Sequence, residues 1–382
     1  MIKRHTWEIS WNVYLVAAGV LEDNHYVIAD SPEEADIIVV NTCGFINDAK
    51  RESIDRIFEM ADYKQDGKKL VVSGCLSQRY GDELFAEMPE VDLFVGVNEY
   101  DMLPWLLKKL DERQVVTDGS VGSVLVNGRR KLSRSPYSAT LKIAEGCNNV
   151  CAYCIIPKIR GRYRSKREED ILREAESLAA AGCKELILIA QDVTYYGADL
   201  YGQFRLPALL RKLCRISGIQ WIRLMYCYED RITDELIQTI AEEEKICNYL
   251  DIPIQHASDA VLRAMNRRST SASIHRTLER LKQAIPDIHI RTTLIVGFPG
   301  ETEKDFEDTL DLAERVGYDS AFTFLYSMRE GTPAAKSPDQ IPEDIKHSRF
   351  NRLVDVINKS AASKNAGYIG SVKEVLVDGR SR

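Results

Sequence analysis

The sequence predicts an α/β protein of two parallel-sheet domains, the second an open barrel of six β/α units. Three observations lead there. Short apolar runs alternate with amphipathic ones along most of the 382 residues, the pattern of parallel strands covered by helices on both faces. The alternation breaks once, at 112–136, which is polar, rich in Gly, Ser and Arg, and without sustained periodicity. In the second half, polar or glycine-rich residues follow each apolar run, as they do where chemistry gathers at the strand ends of a β/α barrel.

Taken in order, His25–Ala29 and Asp36–Asn41 read as strands, 47–62 as a helix, Lys69–Gly74 as a strand and 78–87 as a helix. Asp92–Val95 is then a strand and 100–110 a helix, so that residues 1–111 form the first domain and 112–136 a linker. From Ala139 the strands are Thr140–Ala144, Glu185–Ala190, Trp221–Tyr226, Tyr249–Ile254, Ile288–Val296 and Ala321–Tyr326. The helices between and after them cover 166–181, 205–214, 232–243, 272–284, 302–315 and 342–364, the last packing back on the barrel. Six units are too few to close the eight-fold barrel, and this second domain spans 137–366.

Composition narrows the class. The content, 45% hydrophobic and 29% charged, is that of a globular protein with an ample core. A net charge of −7 excludes a surface that grips nucleic acid everywhere, but leaves room for a local basic groove. The candidate is Lys158–Arg167, with six positive charges, which reads as a solvated face or as a phosphate-binding rim. No apolar run approaches the roughly 18 residues of a membrane span. Val13–Leu21 follows a basic start, yet Glu22 and Asp23 come next without a clear cleavage site, so a helix packed on the first domain is expected. Cysteines meant to stay reduced place the protein in the cytoplasm.

The chemistry is carried by Cys147, Cys151 and Cys154, a C-x3-C-x2-C triplet within eight residues. Soft thiolates suit iron–sulfur clusters and zinc. Structural zinc needs a fourth ligand, and Cys183, the next cysteine, is 29 residues further on in an apolar run. A disulfide framework does not suit a long chain with nine scattered cysteines and no clear secretory signal. An iron–sulfur cluster with one iron left open for a small molecule accounts for three ligands. Cys183, Cys214, Cys227 and Cys247 lie in or beside apolar runs and read as core; Cys227, which follows a strand end, is also a candidate to face the pocket. Cys43 and Cys75 each directly follow a strand of the first domain, and adjacent parallel strands would bring them to one sheet edge, where open α/β sheets bind ligands.

With the cysteine triplet in place, the chain resembles the radical S-adenosylmethionine (SAM) methylthiotransferases from about Asp30 to Gly379. Asn41-Thr-Cys-Gly-Phe-Ile, Ala190-Gln-Asp-Val-Thr-Tyr-Tyr-Gly, Tyr249-Leu-Asp-Ile-Pro-Ile-Gln-His-Ala-Ser and Glu330-Gly-Thr-Pro resemble the RimO-type branch, which modifies an aspartate of ribosomal protein S-twelve (uS12). The resemblance implies that Cys147, Cys151 and Cys154 hold a [4Fe–4S] cluster whose open iron chelates SAM. Its reductive cleavage would give a 5′-deoxyadenosyl radical that takes hydrogen from the aspartate β-carbon, with SAM also the methyl donor. It further implies an aromatic at Tyr153 against the adenine, although core packing explains that ring equally well. Gln191 and Gln255 are candidates for SAM polar groups, and Gly297 and Gly300 for close backbone approach to the nucleoside.

The resemblance also implies a second, auxiliary [4Fe–4S] cluster on Cys43 and Cys75. The family's first auxiliary cysteine should fall near Trp7, where this sequence has none, so that cluster is expected to be incomplete here. Residues 371–379 resemble the first strand of the family's C-terminal TRAM β-barrel, which makes 367–382 the start of a truncated TRAM domain. Expected partners are uS12 or the small ribosomal subunit, a flavodoxin or ferredoxin as electron donor, and RNA at the basic run, with no membrane. A tRNA methylthiotransferase acting on a modified adenosine, and a catalytically impaired iron–sulfur protein, are the alternatives.

Overall fold

A computed structural model describes residues 2–3, 17–65, 67–117 and 137–377. The chain divides into two compact units, Met1–Arg134 with Ile155–Arg162, and Ser135–Cys154 with Tyr163–Arg382.

The first unit is built on a parallel sheet of β1 (Ile2–Lys3), β2 (Ile37–Thr42), β3 (Lys69–Gly74), β4 (Leu93–Val95) and β5 (Gln114–Val116), in that order. Side chains alternate across it as strand geometry demands. Val39, Val71, Leu93 and Val95 join Leu103 and Leu106 in one core, while Ile38, Val40, Leu70, Val72 and Phe94 join Ile57, Met60 and Leu84 in the other. Both faces are therefore covered. Helix α1 (Asn47–Ala61) buries Ala49, Ser53, Ile57 and Met60, a single helical stripe, and α2 (Cys75–Glu87) starts directly at the end of β3.

Two expectations differ from this sheet. His25–Ala29 forms no strand: β1 occupies the position beside β2, His25 takes a φ of +68°, and Val27 points into solvent. The stretch expected to be all linker contains β5, which pairs with β4 at Gln114–Val116; the remainder from 118 to 136 lies outside the described residues. The helix expected around Val13–Leu21 is present over 17–23, with Ala17, Ala18 and Leu21 in the core.

The second unit carries six parallel strands in chain order: β6 (Ser138–Lys142), β9 (Glu185–Ile189), β10 (Trp221–Leu224), β11 (Ile246–Gln255), β12 (His289–Val296) and β13 (Ser320–Leu325). Since every strand neighbours the next, all six C-terminal ends share one rim, as the sequence pattern implied. A short antiparallel ribbon, β7 (Ala144–Glu145) with β8 (Arg164–Ser165), has no counterpart in the sequence reading. Residues 371–377 form neither helix nor strand.

The long helix Glu343–Ala366 returns onto β13, as expected. Its Lys346 Nζ donates to the Tyr326 carbonyl (3.3 Å) and Ser360 Oγ to that of Tyr318 (2.8 Å). Arg349 Nη1 donates to the fully buried carboxylate of Glu301 at 2.9 Å. Glu301 also accepts the amides of Gly297 (2.9 Å) and Phe298 (3.4 Å), so this ion pair fixes the turn that follows β12. Removing one partner of such a pair strands a buried charge. Arg349→Met should therefore cost about 3–5 kcal/mol in urea unfolding, and adding Glu301→Gln should return part of it.

Candidate metal centre

The cysteine triplet occupies the loop after β7. Cys147 and Cys151 are buried and Cys154 is half-buried. A loop of this kind has carbonyls and amides with no strand partner, and other segments satisfy them. Ala152 N donates to the Met265 carbonyl (2.9 Å), Asn266 Nδ2 to that of Val150 (2.9 Å), Arg329 Nη1 to that of Tyr153 (2.6 Å), and Ala334 N to that of Ala152 (3.0 Å). The loop is thus stitched to two segments distant in sequence.

A buried ion pair holds its other side. Arg231 Nη1 donates to Asp192 Oδ2 at 2.6 Å, and Asn149 spans both residues, giving Nδ2 to Asp192 (2.9 Å) and accepting Arg231 Nη2 (3.0 Å). Thr194 Oγ1 donates to Asp192 Oδ1 (2.5 Å) and Tyr163 OH to the Asp192 carbonyl (2.9 Å). Burial raises the Asp192 carboxyl above its ordinary range against the pull of Arg231. The Arg231 and Asn149 donors on Oδ2, with the Thr194 hydroxyl on Oδ1, favour the ionised form against that burial. Burial also pushes the Cys147 thiol up to about 11; the Asn149 amide, 3.4 Å from its sulfur, opposes this and Asp192 adds to it. The Tyr228 hydroxyl lies 3.4 Å from Cys151 Sγ.

The remaining expected cofactor residues sit in the loop itself or at and after the ends of the barrel strands. Gln191 follows β9, and its buried Oε1 has no hydrogen-bond partner. Gln255 ends β11, buried, with a φ of +71°, and Tyr226 after β10 has a φ of +57°. Left-handed backbone at two side-chain-bearing residues is costly and gathers where a site demands it. Tyr153 packs in an apolar cluster with Cys151, Met265, Phe298 and Tyr326. Gly297 and Gly300 have φ of +75° and +79°. A Cβ on Gly297 would stand 2.3 Å from Lys346 Cγ, whereas none would touch anything at Gly300, so only Gly300 faces open space. Cys183, Cys214 and Cys227 are buried core; Cys247 is only half-buried.

In the first unit, Thr42 and Gly74 are register partners, which sets Cys43 and Cys75 side by side at the sheet edge. Glycine permits that approach, since a Cβ at Gly44 would meet the Cys75 carbonyl oxygen at 2.8 Å and one at Gly74 the Thr42 carbonyl oxygen at 2.5 Å. Arg160 Nη2 donates to Cys75 Sγ at 3.4 Å. Burial, then the neighbouring Cys75, raises the Cys43 thiol, while the Phe45 amide and Arg160 lower it. The position near Trp7 lies outside the described residues.

Several participants were not found by sequence reasoning. Arg231, Arg267, Tyr228 and Glu301 act through contacts distant in sequence, and only the strand-end positions of Tyr228 and Glu301 signalled them. The basic run is not one surface: Lys158, Arg162 and Arg167 are exposed, but Arg160 is buried against Cys75 and Lys166 against Glu174.

Among the described residues no three metal-ligating side chains converge on a single ion. The fit to a cluster rests instead on the donor set, three thiols on one tethered loop, and on buried polar atoms that lack partners: Gln191 Oε1, Arg267 Nε and Nη1, and Tyr326 OH. Buried polar groups normally find partners, and a bound polar cofactor provides them. In the cluster-free protein the thiolate of Cys147, the form that alkylates, is disfavoured by burial. Iodoacetamide labelling followed by peptide mass mapping should therefore show its reactivity still rising towards pH 11, where an ordinary thiol levels off above about pH 9.

Comparison with known proteins agrees with this geometry. A family model described as the Radical SAM superfamily matches residues 141–313, and one described as Uncharacterized protein family UPF0004 matches 12–96. The ribosomal protein uS12 methylthiotransferase RimO of Geobacter sulfurreducens is 48% identical over 96% of this chain and 83% of its own length. That of Clostridium tetani is 48% identical over 92% and 80%. Among solved structures, the radical SAM methyltransferase TsrM of Kitasatospora setae superposes with a TM-score of 0.65 at 15% identity, over 85% of this chain and 72% of that one, a likeness of fold. The chain belongs to the RimO family of radical SAM methylthiotransferases.

Proposed function

We propose that this protein places a methylthio group on the β-carbon of an aspartate in ribosomal protein uS12. The observation that carries the reading is the coincidence of the tethered triplet Cys147–Cys151–Cys154 at the rim of a six-stranded parallel barrel with near-half identity to uS12 methylthiotransferases over almost the whole chain. In this reading Cys147, Cys151 and Cys154 hold a [4Fe–4S] cluster, and Cys43 and Cys75 contribute to the auxiliary one. With SAM bound, these groups supply the radical that takes hydrogen from carbon, the inserted sulfur and the methyl group.

The chain's own residues bind and orient. The Asn149–Asp192–Arg231 network fixes the loop that carries the thiols. Gln191 Oε1 offers an acceptor for the SAM amino group, and Arg267 offers two N–H donors on the same rim. Gln255 and Gly300 shape the floor for the nucleoside, Gly297 holds the turn against Lys346, and Tyr153 lies beside the adenine. The apolar cluster around Cys151, with Met265, Phe298 and Tyr326, excludes water that would quench a radical.

Residues 1–111 serve the auxiliary cluster and 137–366 generate the radical. In the same reading a reduced flavodoxin or ferredoxin supplies the electron, the exposed Lys158, Arg162 and Arg167 are available to ribosomal RNA phosphates, and the reaction runs in the cytoplasm.

Expression in a strain lacking its own uS12 methylthiotransferase tests this: uS12 should gain the mass of one methylthio group in place of hydrogen. Unmodified uS12 together with newly methylthiolated tRNA nucleosides would assign the substrate to tRNA instead. Cys151→Ala should abolish both 5′-deoxyadenosine formation and the visible absorbance of the cluster held by the triplet.

A further inference from the structure

Arg267 is a buried guanidinium that the cofactor assignments leave incompletely explained. It is only 9% exposed, forms no ion pair with any described residue, and leaves Nε and Nη1 without hydrogen-bond partners. Its Nη2 donates to the Pro253 carbonyl at 2.9 Å, and the Tyr153 side chain is a second hydrogen-bonding neighbour. Burying a cation without a counter-charge costs several kcal/mol, so a chain that keeps one there has an anion to set against it. The nearest ionisable groups are Tyr228, Tyr153 and Cys151; burial opposes the guanidinium's charge, these three support it, and the net direction is upward.

The arrangement around it is directional. The guanidinium carbon stands 4.5 Å from the centroid of the Tyr228 ring, and the Tyr228 hydroxyl is 3.4 Å from Cys151 Sγ. Arg231 also approaches that ring, at 5.6 Å, but its charge is already committed to Asp192. The strap that carries Arg267 is itself fastened to the cysteine loop, through Met265 O to Ala152 N and Asn266 Nδ2 to Val150 O. Guanidinium and sulfur are therefore held in register by the same backbone, and the Tyr228 amide is fixed separately by Thr194 Oγ1 at 3.2 Å.

We propose that Tyr228 and Arg267 form a unit that sets the reduction potential of the cluster on Cys151. The Tyr228 O–H donates to the Cys151 thiolate. The guanidinium on the ring face draws electron density from the phenol, strengthening that donor, and adds its own positive field. Hydrogen bonds to ligand sulfurs and nearby positive charge both favour the more anionic, reduced cluster. The step is a one-electron reduction by a low-potential donor such as reduced flavodoxin; no bond in the protein breaks and the phenol keeps its proton. The inference rests on the reading that Cys147, Cys151 and Cys154 hold a cluster.

The test uses reconstituted protein carrying Cys43→Ala and Cys75→Ala, so that one cluster alone is titrated. Tyr228→Phe, Arg267→Gln and Arg267→Lys are compared with this parent for iron content and for midpoint potential, the latter by poised redox titration read by electron paramagnetic resonance. Tyr228→Phe and Arg267→Gln should load iron as the parent does and titrate at a more negative potential, with the reduced-to-oxidised ratio at fixed poise falling about tenfold. Arg267→Lys, whose ammonium burial neutralises more readily and which lacks the flat face that rests on the ring, should titrate between the parent and Arg267→Gln. Fully loaded Tyr228→Phe and Arg267→Gln titrating at the parent potential would overturn the inference and leave the cluster assignment standing. A parent that never assembles a cluster would overturn the assignment itself.

Discussion

The ion pair between Asp192 and Arg231 is the contact on which the cysteine loop depends. Buried ion pairs seldom stabilise a fold more than apolar residues of the same volume would. What this pair supplies is position. Asp192 follows one strand and Arg231 the next, so their separation is set by the sheet, and Asn149 hydrogen-bonds to both. The loop inherits its place from the most rigid part of the barrel. The arrangement carries an electrostatic penalty, because the Asp192 charge disfavours a thiolate at Cys147. Arg231, 2.6 Å away, offsets that charge, which gives the arginine a second role beyond geometry.

The sequence made the repeating features legible and the non-repeating ones opaque. All six barrel strands and their order could be read because each is a compact apolar run bounded by turn residues. Gln191 and Gln255 stood out because polar residues directly after such runs have few reasons to be there. His25–Ala29 misled because its apolar residues pack as an irregular segment against the first unit's core, with Tyr26 and Ile28 partly buried. The strand Gln114–Val116 was missed because three residues carry no period. Arg231, Arg267 and Glu301 could not be assigned roles, since their partners lie 39, 39 and 48 residues away at Asp192, Tyr228 and Arg349.

Arginine recurs at the sulfurs of both units. Arg160 donates to Cys75 in the first, and Arg267 stacks on the phenol beside Cys151 in the second. Lysine would serve poorly, because burial readily drives an ammonium to its neutral form, whereas a guanidinium stays charged. Arginine can also rest its flat face on an aromatic ring and still donate from its edge, as Arg267 does to Pro253.

This use of arginine changes how the basic run should be understood. Six positive charges in ten residues suggest a phosphate rim when counted along the chain. In three dimensions Arg160 is spent on Cys75 and Lys166 on Glu174, and Lys158, Arg162 and Arg167 remain exposed. Each phosphate contact contributes roughly one counterion to the salt dependence of nucleic-acid binding. The three exposed cations of this run, on a chain of net charge −7, fall short of a nucleic-acid clamp. The acidic balance of the chain favours instead the approach of a basic ribosomal protein such as uS12, whose charge it complements.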